Sequence, residues 1–187
     1  MTASIQHVSA DLVPFSYDPS GPVALAHLRL LTIPHVNLQG EDAQGVMVVH
    51  RVVAEEILEI FKELKQAGFK INKMKLIDDY KANDDESMAD NNSSCFCARK
   101  ITNSENWSIH SYGTAIALNP MINPYVKGDT ILPVNATNNV DREKAKDLPG
   151  FIGPETECLR IFLKYGWTWG GNFITLKDYH HFEKKIN

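Results

Sequence analysis

WTWGGNFITLKDYHHFEKK, residues 167–185, alternates aromatic with polar side chains, as a strand does when one of its faces rests on a core. The preceding stretch, GPETECLRIFLKYG at residues 153–166, reads as a helix. Pro154 falls in its first turn, Glu155 and Glu157 stand where a helix dipole favours acids, and Gly166 follows the last apolar position. A helix that hands the chain back to a sheet sets the class as a mixed α+β domain, here a small one with an antiparallel sheet and flanking helices.

Further from this segment, Val52, Val53, Ile57, Ile60, Phe61 and Leu64 recur at helical spacing between His50 and Ala67, and Gly68 offers a stop. FKINKMKLIDDY, residues 69–80, reads as a strand, and CFCARKI gives a second short strand ending at residue 101. Between them, KANDDESMADNNSS at 81–94 is rich in side chains that bond their own backbone, and reads as a surface or site loop. Residues 119–150 carry turn signals such as NPMINPY and DLPG and predict a long irregular excursion. In residues 1–45, Pro14, Pro19, Pro22 and Pro34 predict irregular chain with at most brief strands, packed on the core formed by 46–185.

The chain has 187 residues, 43% of them hydrophobic and 22% charged, which suits one domain spanning 1–187 with a real core. Nineteen Lys and Arg against 23 Asp and Glu give a net charge of −4, without the basic excess that nucleic-acid binding requires. No apolar run is long enough to cross a bilayer, so no membrane insertion is expected. Cys95, Cys97 and Cys158 are too few for a disulfide scaffold, and Cys-x-Cys is not zinc-ribbon spacing. A bridge from Cys158 to one of the others and three buried thiols both remain open.

Of seven histidines, His7, His27, His35 and His50 lie in unremarkable surroundings and are assigned no role. His110, His180 and His181 fall in segments dense in Gly, Trp, Ser and Asn. Imidazole is a common zinc ligand, but a catalytic zinc usually has three protein ligands, with a nearby carboxylate to take a proton from its water. Asp178, three residues before His181, is placed for the carboxylate's task.

These segments resemble one family. Ser108-Ile-His110-Ser-Tyr112-Gly113-Thr-Ala115, then Asn119-Pro120 and Asn123-Pro124-Tyr125, then Gly166-Trp167-x-Trp169-Gly170-Gly171 and Asp178-x-x-His181-Phe182-Glu183 are similar to the VanY-type zinc D-alanyl-D-alanine carboxypeptidases over about residues 46–185. The resemblance implies a fold shared with L-alanyl-D-glutamate endopeptidases and the Hedgehog signalling domain, with zinc held in a cleft of the sheet. It implies His110 and His181 as zinc ligands and Asp178 as general base. Arg99 would be the electrostatic stabiliser of the oxyanion, and Ser108, Tyr112 and Trp169 would be substrate contacts. The implied partner is a peptidoglycan stem peptide, met as a monomer outside the cytoplasmic membrane.

The departure is at residue 117. The family pattern continues to an aspartate seven residues after the histidine, the remaining zinc ligand, and this chain has Ala117 there. A methyl cannot bind zinc, so weakened metal binding and impaired catalysis are expected. A disabling change, a natural loss and a replacement ligand all remain open. The first is preferred because the other motif residues are intact. His180 is the obvious replacement, but neighbours on a regular strand face opposite ways, so it is expected to point away from His181. Bringing Asp178 and His181 together then requires a turn or bulge at 178–181. An endopeptidase and a non-catalytic binding module are the alternative functions. Trp167, Trp169, Phe173 and Phe182 also suit a core, and Gly170 and Gly171 a tight turn. Asp84, Asp85, Glu86 and Asp90 lack the order of a calcium loop and read as solvated charges. For Arg142 the sequence favours neither substrate binding nor the surface.

Overall fold

The computed structural model describes residues 1–102 and 104–186. A short strand, β1 (Ser4–His7), lies on the edge of a long hairpin formed by β2 (Leu28–Val36) and β3 (Asp42–His50). This hairpin corrects the expectation of irregular chain up to residue 45. Pro34 misleads because it sits beyond the end of β1, where β2 has only β3 as partner and its missing N–H is not needed. The hairpin turn is closed by Asn37, whose Oδ1 accepts from Gln39 N and Glu41 N, and by Gly40 at φ +86°. The segment between β1 and β2, with Pro14, Pro19 and Pro22, is irregular as expected.

Both faces of the hairpin are covered, with Leu31, Ile33, Met47 and Val49 facing the main core, and Leu28 and Val48 a smaller cluster with Val8, Val13, Val23 and Phe96. Helix α1 (Ala54–Gln66) buries Ile57, Ile60, Phe61 and Leu64 on the first face. Burying each of these is worth about 1.5–3 kcal/mol, as an upper bound. The helix begins at Ala54, not His50, because β3 runs through His50, and Val52 lies exposed in the turn between them. Gly68, at φ +71°, follows its end.

Residues 69–80 do not form the expected strand. They make only isolated bridges, Lys70 with Val36 and Lys73 with Asn92, because two of their backbone donors go to side chains, Asn72 N to Asn119 Oδ1 and Lys75 N to Asn92 Oδ1, and Ile77–Tyr80 makes one 3-10 turn. The following loop contains a short helix, α2 (Asp84–Ala89), with Asn83 Oδ1 accepting from Glu86 N at its start. Residues 95–101 also fail to form a strand, because successive donors reach different segments. Phe96 N bonds Val48 O, Cys97 N bonds His110 O and Ala98 N bonds Ser16 O.

Beyond a 3-10 turn at Ile109–Tyr112 come β4 (Ala115–Ala117), the small hairpin β5 (Tyr125–Lys127) and β6 (Thr130–Leu132), and α3 (Arg142–Ala145) within otherwise irregular chain. The second expected helix is α4 (Glu157–Lys164), capped by Thr156, whose hydroxyl accepts from Leu159 N, so Pro154 lies just before it. The chain then returns to sheet as expected, through β7 (Thr168–Trp169), β8 (Lys177–Asp178) and β9 (His181–Glu183). Among the described residues the sheets are three and antiparallel, ordered β1-β2-β3, β4-β9-β7 and β6-β5-β8, which makes the domain α+β. Cys95, Cys97 and Cys158 are buried free thiols, which settles the alternative left by the sequence. Burial raises all three, Cys97 to about 12, so they stay protonated and inert.

Candidate functional site

A cleft of about 810 Å³ opens where β4, β8 and β9 meet, walled on one side by α2 and on the other by the β5–β6 hairpin. His110 enters it from the 3-10 turn that Ser108 begins, the Ser108 hydroxyl accepting from His110 N at 3.3 Å. Gly113, at φ +68°, ends the turn, and its carbonyl accepts from His50 N. His110 Nδ1 lies 2.6 Å from Cys95 O, and a carbonyl only accepts, so Nδ1 carries the hydrogen and Nε2 is left bare. Burial, with His181 and Arg99 nearby, holds this imidazole well below the ordinary histidine range and so neutral.

His181 stands across β4 and β9 from Ala117, its partner in the antiparallel register. Its ring lies 5.3 Å from that of His110, edge to face. His181 Nε2 donates to Glu183 Oε2 at 3.1 Å, and this bond holds the Glu183 carboxyl below the usual carboxylate range. Glu183 is a partner the sequence reading passed over, although its place two residues after His181 puts it on the same face of β9.

The chain turns at Tyr179–His180 between β8 and β9, the turn that the spacing of Asp178 and His181 demanded. The same turn overrides the strand alternation expected of His180, which lines the cleft beside His181. His180 Nδ1 donates to Asn123 O at 2.8 Å. Its Nε2 comes within 3.0 Å of Asp178 Oδ1 without the alignment of a hydrogen bond, which leaves that oxygen buried with no donor. Gly170 packs against this corner, where an added Cβ would fall 2.6 Å from Asp178 O.

Arg99 also lines the cleft, its backbone N bonded to Ser111 Oγ at 3.0 Å and its Nη2 paired with Asp84 at 2.7 Å. The structure thus brings His110, His181, Asp178, Arg99, Ser108 and Ala117 to one cavity. Two expected contacts are not among its walls. Trp169 is 2% exposed in the core, donating from Nε1 to Tyr179 O, and Tyr112 points outward from the 3-10 turn, 37% exposed. Asp84 and Asp85, read as solvated charges, are in the cleft wall. Arg142 is not in the cleft. It ties Ile122, Asn123, Asn139 and Ile152 together.

The donor set is the bare Nε2 of His110 and a His181 whose Nε2 is engaged by Glu183, with a methyl at 117. Among the described residues, no three His, Cys, Asp or Glu side chains come together so as to hold a metal ion. A zinc site therefore does not fit the residues present.

Residues 102–184 match the family described as D-alanyl-D-alanine carboxypeptidase. The match, which covers less than half of the chain, agrees with the VanY-type resemblance drawn from the motifs. Residues 46–101, Arg99 among them, lie outside the match, which is narrower than the resemblance drawn from the motifs. No curated protein and no solved structure gives a significant match. Among the described residues, no helix is long and apolar enough to cross a membrane.

Proposed function

We propose that this domain takes the D-alanyl-D-alanine end of a peptidoglycan stem peptide into the cleft and, as written, cleaves it poorly or not at all. The observation that carries this reading is the place of Ala117. It lines the cleft opposite His181, where the family pattern has a metal-binding carboxylate. Zinc-dependent hydrolysis is what the family resemblance implies, and this chain is one ligand short of it. The remaining residues keep roles that need no metal: Arg99 offers charged donors to a peptide oxygen, and Asp178 offers a carboxylate oxygen with no donor of its own. Ser108 lies along the path of the peptide. Such a substrate puts the work of the domain outside the cytoplasmic membrane.

The test compares this chain with Ala117→Asp for zinc content and for release of D-alanine from a stem peptide ending in D-Ala-D-Ala. Near-stoichiometric zinc and D-alanine release in the variant alone support the reading. Zinc without release points to an endopeptidase or a binding module, and release by the unaltered chain overturns the role given to Ala117.

A further inference from the structure

Asp84 belongs to a stretch that reads as solvated loop, yet α2 delivers it to the cleft wall, where its Oδ2 lies 2.7 Å from Arg99 Nη2. Both side chains are only about a third exposed, 31% for Asp84 and 34% for Arg99. Arg99 Nε is buried with no acceptor, so among the described residues Asp84 is the carboxylate that fixes the plane of this guanidinium. An arginine side chain has several rotatable bonds, and unrestrained it would lose conformational entropy on meeting a ligand. The backbone of Arg99 is already pinned by Ser111, which is fully buried. One further contact is enough to set the head group.

The geometry points to Asp84 as a positioning residue that holds Arg99 ready for an oxygen of the bound peptide. This rests on the proposed peptide-binding role of the cleft. Asp84 acts through Arg99, without touching the peptide, and the position of α2 against the cleft is what this role requires of residues 83–89.

The experiment is a double-mutant cycle on the affinity of the unaltered chain for a stem peptide ending in D-Ala-D-Ala, with its C-terminal amide in parallel. Asp84→Ala and Arg99→Gln are each expected to weaken binding about three- to tenfold, and the double variant no more than Arg99→Gln alone. A loss confined to the free acid assigns Arg99 to the terminal carboxylate, and an equal loss with the amide assigns it to an internal carbonyl. Asp84→Asn, which keeps an acceptor of the same shape, is expected to fall between, and thermal melts identify any variant that fails to fold. Additive losses, or tighter binding by Asp84→Ala, overturn the proposal. A second readout needs no ligand: the Arg99 Nε–H resonance is expected to be sharp and slow to exchange in the unaltered chain and averaged in Asp84→Ala. If it stays sharp, the proposal is wrong. If it averages while no peptide binds to the unaltered chain, the positioning stands and the functional reading fails.

Discussion

Replacing Arg142 by Met tests whether the back of the cleft is held by one buried guanidinium. Nη1 donates to Ile122 O at 2.8 Å and Asn139 O at 3.0 Å, and Nη2 donates to Asn123 Oδ1 at 2.8 Å and Ile152 O at 3.0 Å. The guanidinium also lies over the rings of Phe151 and Tyr179, at 4.2 and 4.5 Å. Burial pulls it down to about 10, so it remains charged at neutral pH. Four hydrogen bonds at about 1 kcal/mol each give an expected loss of about 4 kcal/mol before any stacking is counted. For a chain of this size that lowers Tm by roughly 8–16 °C. Urea melts and calorimetry measure it, with Arg142→Lys as the variant that keeps the charge and loses the fork. Asn123 O also receives His180 Nδ1, so the His180 ring should lose its fixed setting in the Met variant, visible as broadened imidazole resonances. A loss below about 1 kcal/mol would refute the additive reasoning, since it would mean that water or the side-chain amides replace the guanidinium at little cost.

In Ala117→Asp, a carboxylate enters a wall that is 6% exposed, so the metal-free variant should lose about 1–2 kcal/mol and recover it when zinc is added, a reversal read by thermal melts with zinc and with chelator. Burial holds His35 below its ordinary value, with the carbonyl of Ile33 opposing and Lys65 reinforcing. The fold therefore prefers its neutral form, and the unfolded chain binds more protons at low pH. Its share of the stability is complete above about pH 6.5 and is lost as the pH falls further, and His35→Leu should make the urea-midpoint profile less steep there, leaving the parallel slopes from His50 and His110, which burial also holds low. Trp169→Ala should cost about 3–5 kcal/mol as a core deletion, whereas Tyr112→Ala should stay within about 0.5 kcal/mol and leave peptide affinity unchanged, as titration of both variants would show.

Legibility in the sequence followed the locality of the forces. The two main helices could be read because their apolar spacing and glycine stops act within a few turns, and the last stretch of strand because its aromatic and polar side chains alternate within the segment itself. The β2–β3 hairpin could not, because Pro34 is tolerated only through the early end of β1, a fact about a neighbouring strand. Residues 69–80 have a strand's composition but no ladder, since the amides of Asn92 and Asn119 meet their donors from 17 and 47 residues away. Of the candidate site, motif spacing drew attention to His110, His181 and Asp178, and the family resemblance to Arg99, and the structure places all four in the wall of one cleft. Asp84 was not, because an acidic turn looks solvated until α2 is folded against Arg99, and Trp169 was misplaced because an aromatic beside glycines looks the same in a core as in a cleft.

The setting of Ala117 separates the needs of the fold from those of the chemistry. Its backbone is fully used: Ala117 N donates to Ser94 O at 2.9 Å, Ser94 N donates to Ala117 O at 3.1 Å, and on its other side β4 is in register with His181. None of these bonds involves a side chain, so the strand forms whichever small residue stands at 117. The residues around it are fixed by other means: His110 by Cys95 O, His181 by Glu183, and the Asp178 corner by the close approach of Gly170. A frame whose parts are each held separately tolerates the loss of one side chain without relaxing into the gap. The cleft thus keeps its shape and charges around a methyl at 117, which is what the proposed function asks of it: a peptide held in the cleft, its cleavage limited by residue 117.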